Sequence, residues 1–194
     1  MQLRNLLIGM LAAGISAGAN NLCAQSKAID VSKSSLKIRV FKSGAFSAFA
    51  HDHEVEAPIE EGKVDSSAHA SVQLRVDSRK MRVLDPDTAA DKRAEIQHTM
   101  LSDKVLDVEK FPEISYQSTA VTSRGEDGWE VHGTLTLRGK KQPVAVKVSL
   151  QGGHYRGTAS IKQSDFGIEP IRIAGGTIKV KDELKIEFDI VPAE

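Results

Sequence analysis

The chain has 194 residues with 26 basic and 26 acidic side chains, so its formal charge is zero and no field of one sign draws it to nucleic acid or to anionic headgroups. Hydrophobic residues make up 40% and aromatic ones 5%, a balance that argues for a globular domain over a disordered tail or a bundle of membrane spans. Neither a nucleic-acid partner nor a membrane-spanning body is expected.

Met1 to Asn5 carries one charge, Arg4, and Leu6 to Ala19 is an uncharged run of apolar and small residues too short to cross a bilayer comfortably. Ala24 then supplies a small residue ahead of Gln25, where a signal peptidase can cut. Residues 1–24 are therefore predicted to be a cleaved secretory signal and residues 25–194 one exported domain, periplasmic or secreted. The rival is a lipid anchor on Cys23, but Asn20-Asn21-Leu22 lacks the small residue such a signal wants next to its cysteine. A cut after Ala24 removes Arg4 and Cys23, leaving 25 basic (26 − 1) against 26 acidic side chains and no thiol. Disulfides, cysteine nucleophiles and cysteine metal sites are then excluded, and a domain of ~170 residues must be held by its core alone.

The rest of the chain reads mainly with period two. Leu36, Ile38 and Val40 alternate with Lys37 and Arg39, and Val72, Leu74 and Val76 with Gln73 and Arg75. Each run predicts a half-buried strand. After Asp85-Pro86-Asp87-Thr88, read as an N-cap cluster, Ala89–Leu101 has helix formers and no glycine or proline, which predicts one helix of about three turns. Its narrow apolar stripe places Ile96, Met100 and Leu101 inward across a barrel mouth or flank, with Lys92, Arg93 and Glu95 in water. Alternation then resumes through Ile114–Ala120, Trp129–Leu137, Val144–Val148, Tyr155–Ile161, Ile178–Val180 and Leu184–Ile190, separated by glycine-rich turns. About eight or nine short antiparallel strands close into a barrel or pack as a sandwich. A barrel of that size either fills with its own side chains or holds one slim apolar ligand, and the pattern alone supports both.

Several segments resemble the YceI-like family of exported, lipocalin-like barrels that bind polyisoprenoid lipids. They are Phe46-Ser47 with Gly62-Lys63-Val64, the stretch Leu106-Asp107-Val108-Glu109-Lys110-Phe111-Pro112-Glu113-Ile114-Ser115-Tyr116-Gln117-Ser118-Thr119, Gly133 through Val144, and Ser164-Asp165-Phe166-Gly167-Ile168. The resemblance implies an all-β fold with one short helix, an antiparallel lipocalin-like β-barrel of about eight strands. It also implies a long apolar ligand, such as a polyisoprenoid, a quinone tail or a fatty-acid-like lipid, threaded through the barrel. Alternation and the matched segments together nominate as its wall Val40, Phe46, Leu74, Val76, Met100, Phe111, Ile114, Tyr116, Leu135, Leu137, Val146, Val148, Phe166, Ile186 and Phe188. The chain departs from the family at Lys33 and Lys42, where histidines are frequent, and at Ala48-Phe49-Ala50-His51-Asp52-His53-Glu54 after the Phe-Ser pair.

The alternative reading is a metal-binding protein or metal-dependent enzyme. His51 and His53 lie two apart and share one face of an extended strand, and with His98 from the helix they would hold zinc or copper. Counting by twos from Leu36 turns both rings outward, unless a bulge near Ser43-Gly44 reverses the facing. Ser47, Ser118 and Ser164 have no nucleophile-elbow glycines around them, and Asp165-Phe166-Gly167 lacks the phosphate-cradling loop of a kinase. No nucleotide, flavin or haem motif occurs. The expectation is therefore a carrier without catalysis or cofactor, with homodimer pairing along Lys33–Phe41 open if the barrel is incompletely shut.

Overall fold

Strands that alternate apolar and polar residues bury one face each, and a sheet of such strands removes that face from water by curling on itself. The structure, a computed structural model, describes residues 26–43, 52–67, 69–173 and 178–194. In chain order it comprises β1 (Ser26–Ala28), β2 (Ser35–Ser43), β3 (His53–Glu56), β4 (Ile59–Asp65), β5 (Ser71–Asp77), β6 (Arg82–Val83), α1 (Ala90–Leu101), β7 (Glu113–Ser123), β8 (Gly128–Leu137), β9 (Lys140–Gln151), β10 (His154–Lys162), β11 (Arg172–Ile173) and β12 (Ile178–Ile190). Neighbouring strands are antiparallel in the order β1-β4-β5-β7-β8-β9-β10-β12-β2-β3-β6, with β11 added beside β12.

The sheet closes because β3 and β4 are two halves of one bent strand. Only Ala57 and Pro58 separate them; the Ala57 N–H still donates to the Leu36 carbonyl at 2.9 Å, and Pro58, which has no N–H, ends the pairing. Counting the bent strand once, β2, β3–β4, β5, β7, β8, β9, β10 and β12 make an eight-stranded barrel. The chain start seals the seam. Ile29 N–H donates to Gly62 O (2.9 Å) and Asp30 N–H to Val191 O (2.8 Å), tying this segment to both β4 and the residues after β12. The bent strand escaped the alternation because β4 shifts register between Ile59 and Glu61 and places Gly62 opposite Leu74, where an apolar side chain would have marked it. The two runs expected at Ile178–Val180 and Leu184–Ile190 are one strand, with a register shift between Val180 and Leu184. A 3-10 turn at Gln163–Phe166 holds that irregularity, with the Ser164 N–H and hydroxyl on the Asp182 carboxylate (2.8 and 2.6 Å). Within Lys33–Phe41, residues Lys37–Val40 have β12 on one side and β3 on the other, so this central part is paired within the chain.

At one end, called upper here, stand α1, β6 and the β8–β9 hairpin; at the other are the β7–β8 and β9–β10 hairpins. The upper hairpin pairs Leu137 with Lys140 across Arg138 and Gly139, whose φ angles of 50° and 69° make the mirror-image turn that suits twisted strands. The upper core includes Val76 and Phe166, each 1% exposed, with Val83, Leu106, Leu137 and Leu184. Ile29, Ile59 and Ile190 form a second cluster with Tyr155 and Phe188 against it.

The helix begins at Ala90 with Ala89 as its N-cap and no side-chain cap. The expected cap, Asp85, has instead been recruited to β3, as described below. Ile96, Met100 and Leu101 pack on the core as the stripe requires, and Lys92 and Glu95 form an exposed ion pair at 2.7 Å. Arg93 differs from expectation: it is half-buried and donates to the Asp85 and Thr88 carbonyls, both at 3.3 Å. Gln97 docks the helix on β6, accepting from Val83 N–H (2.7 Å) and donating to Met81 O (2.8 Å), so its amide acts as one more strand edge.

Asp77, at the end of β5, is buried and takes three hydrogen bonds from Arg79, one from its backbone N–H and two from the guanidinium. The Arg79 side-chain bonds outweigh burial and hold the Asp77 carboxyl down to about 2 from its ordinary 3.8. A carboxyl with a lowered folded-state value stabilises the fold above the unfolded value and loses that contribution as pH falls through the folded one. Stability is therefore expected to fall between about pH 4 and pH 2 by about 1–2 kcal/mol from this group, allowing for the exposed guanidinium. Urea titrations across that range check it; Asp77→Asn should be less stable at neutral pH and show a flatter acid limb.

Candidate functional site

The inward positions of the closed sheet enclose a cavity of about 720 Å³ that runs from the upper end to the lower. Its walls are overwhelmingly apolar because period-two alternation sends Leu36, Ile38 and Val40 from β2, Leu74 and Val76 from β5, and Val144, Val146 and Val148 from β9 to the same side. Ile96 and Met100 of α1 close over part of the upper end. Lower down the lining becomes aromatic, with Tyr116, Trp129, Tyr155 and Phe188; Trp129 and Tyr155 meet edge to face with ring centres 6.0 Å apart.

Two glycines make room for these rings. A Cβ on Gly133 would lie 2.6 Å from both the Tyr116 hydroxyl and the Gln117 carbonyl, and one on Gly157 would lie 2.6 Å from the Phe188 ring. Tyr116 thus lies flat across β8, where its hydroxyl faces the carbonyls of Val131 (3.2 Å) and Val144 (3.4 Å) and donates to them. Burial pushes the phenol up to about 12, so it stays a neutral donor throughout the physiological range.

Polar groups gather at the mouths. Lys42, His53, Lys92, Glu95 and Lys179 line the upper one, and Asp65, Ser66, Ser67 and Ser71 the lower one. His53 faces the cavity, contrary to the outward facing that simple counting gives. The register pairs Val40 with His53 and Ile38 with Val55, so even positions in β2 share a face with odd positions in β3. The ring is fixed from behind by Asp85, whose side chain is only 3% exposed: Asp85 Oδ2 lies 2.5 Å from His53 Nδ1, and Oδ1 accepts the Glu54 N–H at 2.8 Å. An ionised carboxylate accepts only, so Nδ1 carries the proton and Nε2 is the nitrogen without a partner among the described residues.

Of the expected wall residues, Val40, Leu74, Val76, Met100, Ile114, Tyr116, Leu135, Leu137, Val146, Val148, Ile186 and Phe188 line the cavity. Phe46 lies outside the described residues. Phe111 and Phe166 do not line it. Phe111 packs under the β8–β9 turn, within 2.8 Å of where a Gly139 Cβ would stand. Phe166 belongs to the 3-10 turn and is buried in the upper core, where it borders a small hollow with Gln142, Pro143, Ser160 and Glu183 instead of the cavity. His51 also lies outside the described residues, and His98 is exposed on α1 and is not part of the cavity. Among the described residues no group of three or more His, Cys, Asp or Glu side chains is placed to hold a metal ion. Asp85 and Gln97 were missed from sequence because their partners lie 31 and 14 residues away along the chain.

The profile of the YceI-like domain matches residues 28–192, nearly the whole barrel. Among curated proteins, a UPF0312 protein of Pseudomonas savastanoi pv. phaseolicola is 40% identical over 86 residues, 39% of this chain and 45% of the relative. A UPF0312 protein of Pseudomonas aeruginosa is 37% identical over 86 residues, 39% of this chain and 44% of the relative. The chain thus spans under half the length of the curated relatives it matches. Among solved structures, Burkholderia cenocepacia BcnA superposes with a TM-score of 0.66 at 20% identity, covering 86% of this chain and 99% of that one. A mutant CJ YCEI protein with a monobromobimane guest structure gives 0.53 at 12% identity, covering 79% of this chain and 84% of that one. Among the described residues no helix is long and apolar enough to cross a membrane. With the profile matched from the first strand to the end of the last, this chain belongs to the YceI-like family.

Proposed function

We propose that this protein is an exported carrier that holds one long apolar molecule, a polyisoprenoid, quinone tail or fatty-acid-like lipid, inside its barrel. The observation that carries this reading is the cavity itself: about 720 Å³ with continuous aliphatic and aromatic walls. That volume falls within the roughly 300–1,000 Å³ of sites that bury a whole small ligand. Each methylene withdrawn from water contributes about 0.8 kcal/mol, so an extended chain lying along these walls needs little polar contact to be held. The lysine, histidine and carboxylate side chains of the lining stand at the mouths, and the interior holds the neutral phenol of Tyr116 and the Tyr155 ring among apolar walls, which supports binding over catalysis. Export rests on residues 1–24; N-terminal sequencing of the exported protein is expected to start near Gln25, and an intact Met1 or an acylated Cys23 would overturn that part.

Native mass spectrometry of protein purified from its own compartment tests the carrier reading, because an apolar guest adds a discrete mass. Leu137→Trp is the matched variant. Leu137 is buried in the upper lumen, so the indole takes space a chain would occupy and stays apolar; overpacking costs about 1–3 kcal/mol. The variant is expected to fold with wild-type circular dichroism and to lose the guest mass. A folded variant that keeps the same guest would refute an internal site.

A further inference from the structure

The wall of the barrel is not a continuous ladder. From their hairpin at the lower end, β9 and β10 pair from Gln151 opposite His154 up to Lys147 opposite Thr158, and there the register between them stops. Above that point β9 runs on to Lys140 paired with β8 alone, and β10 to Lys162 paired with β12 alone. Leu137 and Lys140 close a two-residue turn as a hydrogen-bonded pair, so alternation sends the backbone groups of Lys141, Pro143 and Ala145 away from β8 and into this seam. Pro143 has no N–H to give. A strand paired on both sides excludes proline at such a position, and an open seam accepts it. Pro143, Ala145, Ser160 and Lys162 are exposed, so water serves the polar backbone along the seam.

Side chains fill the gap instead. The 3-10 turn at Gln163–Phe166 enters its upper end with the Phe166 ring buried. Ser164 on the Asp182 carboxylate and Gln163 Nε2 on Lys181 O (2.9 Å) fasten the turn to β12. On the β9 side it is held by Gln142 Nε2 donating to Asp165 O (2.9 Å) and by the Arg138 guanidinium donating to Gly167 O (2.9 Å). Outside lies the hollow of about 260 Å³, and Val144 and Ile161 line both it and the lumen. Here aliphatic side chains divide the two spaces where elsewhere a ladder does.

We propose that this seam is a side door, through which an apolar chain passes between the hollow and the lumen when the 3-10 turn parts from β9. The inference rests on the apolar-chain reading above and adds the route. Parting two strands elsewhere breaks a run of ladder hydrogen bonds at once. Here it breaks the bonds from Gln142 and Arg138 and slides Val144 past Ile161, so this is where the wall opens at least cost. Val144, Val146, Ala159 and Ile161 line the lumen on either side of the seam, and a chain crossing it stays on apolar surface.

The exported chain from Gln25 onward has no cysteine, so Ala145→Cys with Ser160→Cys gives two thiols on the outer face of the seam that a short bismaleimide joins. Trp129, the one tryptophan, lines the lumen and reports the arrival of cis-parinaric acid by energy transfer in stopped flow. Joined across the seam, the protein is expected to load this probe roughly tenfold more slowly or worse, and protein joined after loading to release it as slowly. The release measurement is independent of any change in final occupancy. The same linker across Lys147→Cys with Thr158→Cys, a pair already in the ladder, should leave both rates alone. Should the joined protein fail to fold, Gln142→Ala removes one of the two bonds on the β9 side and must speed loading and release together. Rates within about twofold of the unjoined protein, or rates unmoved by Gln142→Ala, overturn the side door and assign the passage to the mouths. Absence of energy transfer in the unjoined protein overturns the apolar-chain reading beneath it.

Discussion

Gly157→Ala is expected to destabilise the barrel by about 3 kcal/mol or more, one of the largest single-methyl effects in the protein. Gly157 pairs with Val148 on one side and Phe188 on the other. A Cβ there would fall inside the contact radius of the Lys147 carbonyl oxygen and 2.6 Å from the tip of the Phe188 ring. The ring can turn away at the cost of a rotamer. The carbonyl cannot, because it belongs to the backbone of the neighbouring strand and moving it separates β9 from β10. Urea unfolding checks the magnitude. Phe188 also lines the cavity, so probe affinity should fall in whatever fraction stays folded. A midpoint within error of wild type would show that the two strands yield at this point far more easily than a hydrogen-bonded ladder should.

Asp85→Ala is expected to cost about 2–4 kcal/mol. The carboxylate is nearly inaccessible and serves two groups at once, His53 Nδ1 and the Glu54 N–H. Its removal leaves a backbone donor of β3 without that acceptor and frees the imidazole at the cavity mouth. Asp85→Asn keeps an acceptor for Glu54 and should recover part of the loss. Nitrogen chemical shifts of the His53 ring give an independent readout. The wild type should show Nδ1 protonated in the neutral ring, and Asp85→Ala should show a mixture of tautomers. A ring with one fixed tautomer after Asp85→Ala would mean that another group orients it.

The barrel was legible in the chain because sheet facing is a local property. Wherever Val, Ile or Leu recurs every second residue, one face must leave the water, and β2, β5, β7, β8, β9, β10 and β12 follow from that alone. The same rule carried most of the cavity wall. It failed at β4, where a register shift and Gly62 remove the periodic signal, and at Phe111 and Phe166, where an aromatic side chain in a matched segment says nothing about whether it packs within a turn or the core or faces the cavity.

Asp85 and His53 mark where local reading stops. An aspartate four residues ahead of a helical run reads as a cap by propensity, yet here it is buried and spent on a strand distant in sequence, because an unpaired backbone N–H beside an imidazole is the costlier group to leave unmet. His53 was counted outward because parity runs along one strand and does not survive a connection; only the pairing of Val40 with His53 turns the ring inward. By itself, then, the sequence determined the half-buried strands, the helix with its inward stripe, and the apolar character of the lumen, all set by neighbours two to four residues apart. Only the tertiary structure decided that β3 and β4 close the barrel, that two glycines admit the rings of Tyr116 and Phe188, and that a histidine held by Asp85 faces the upper mouth, because hydrogen-bond register and close approach between distant strands depend on the whole curled sheet.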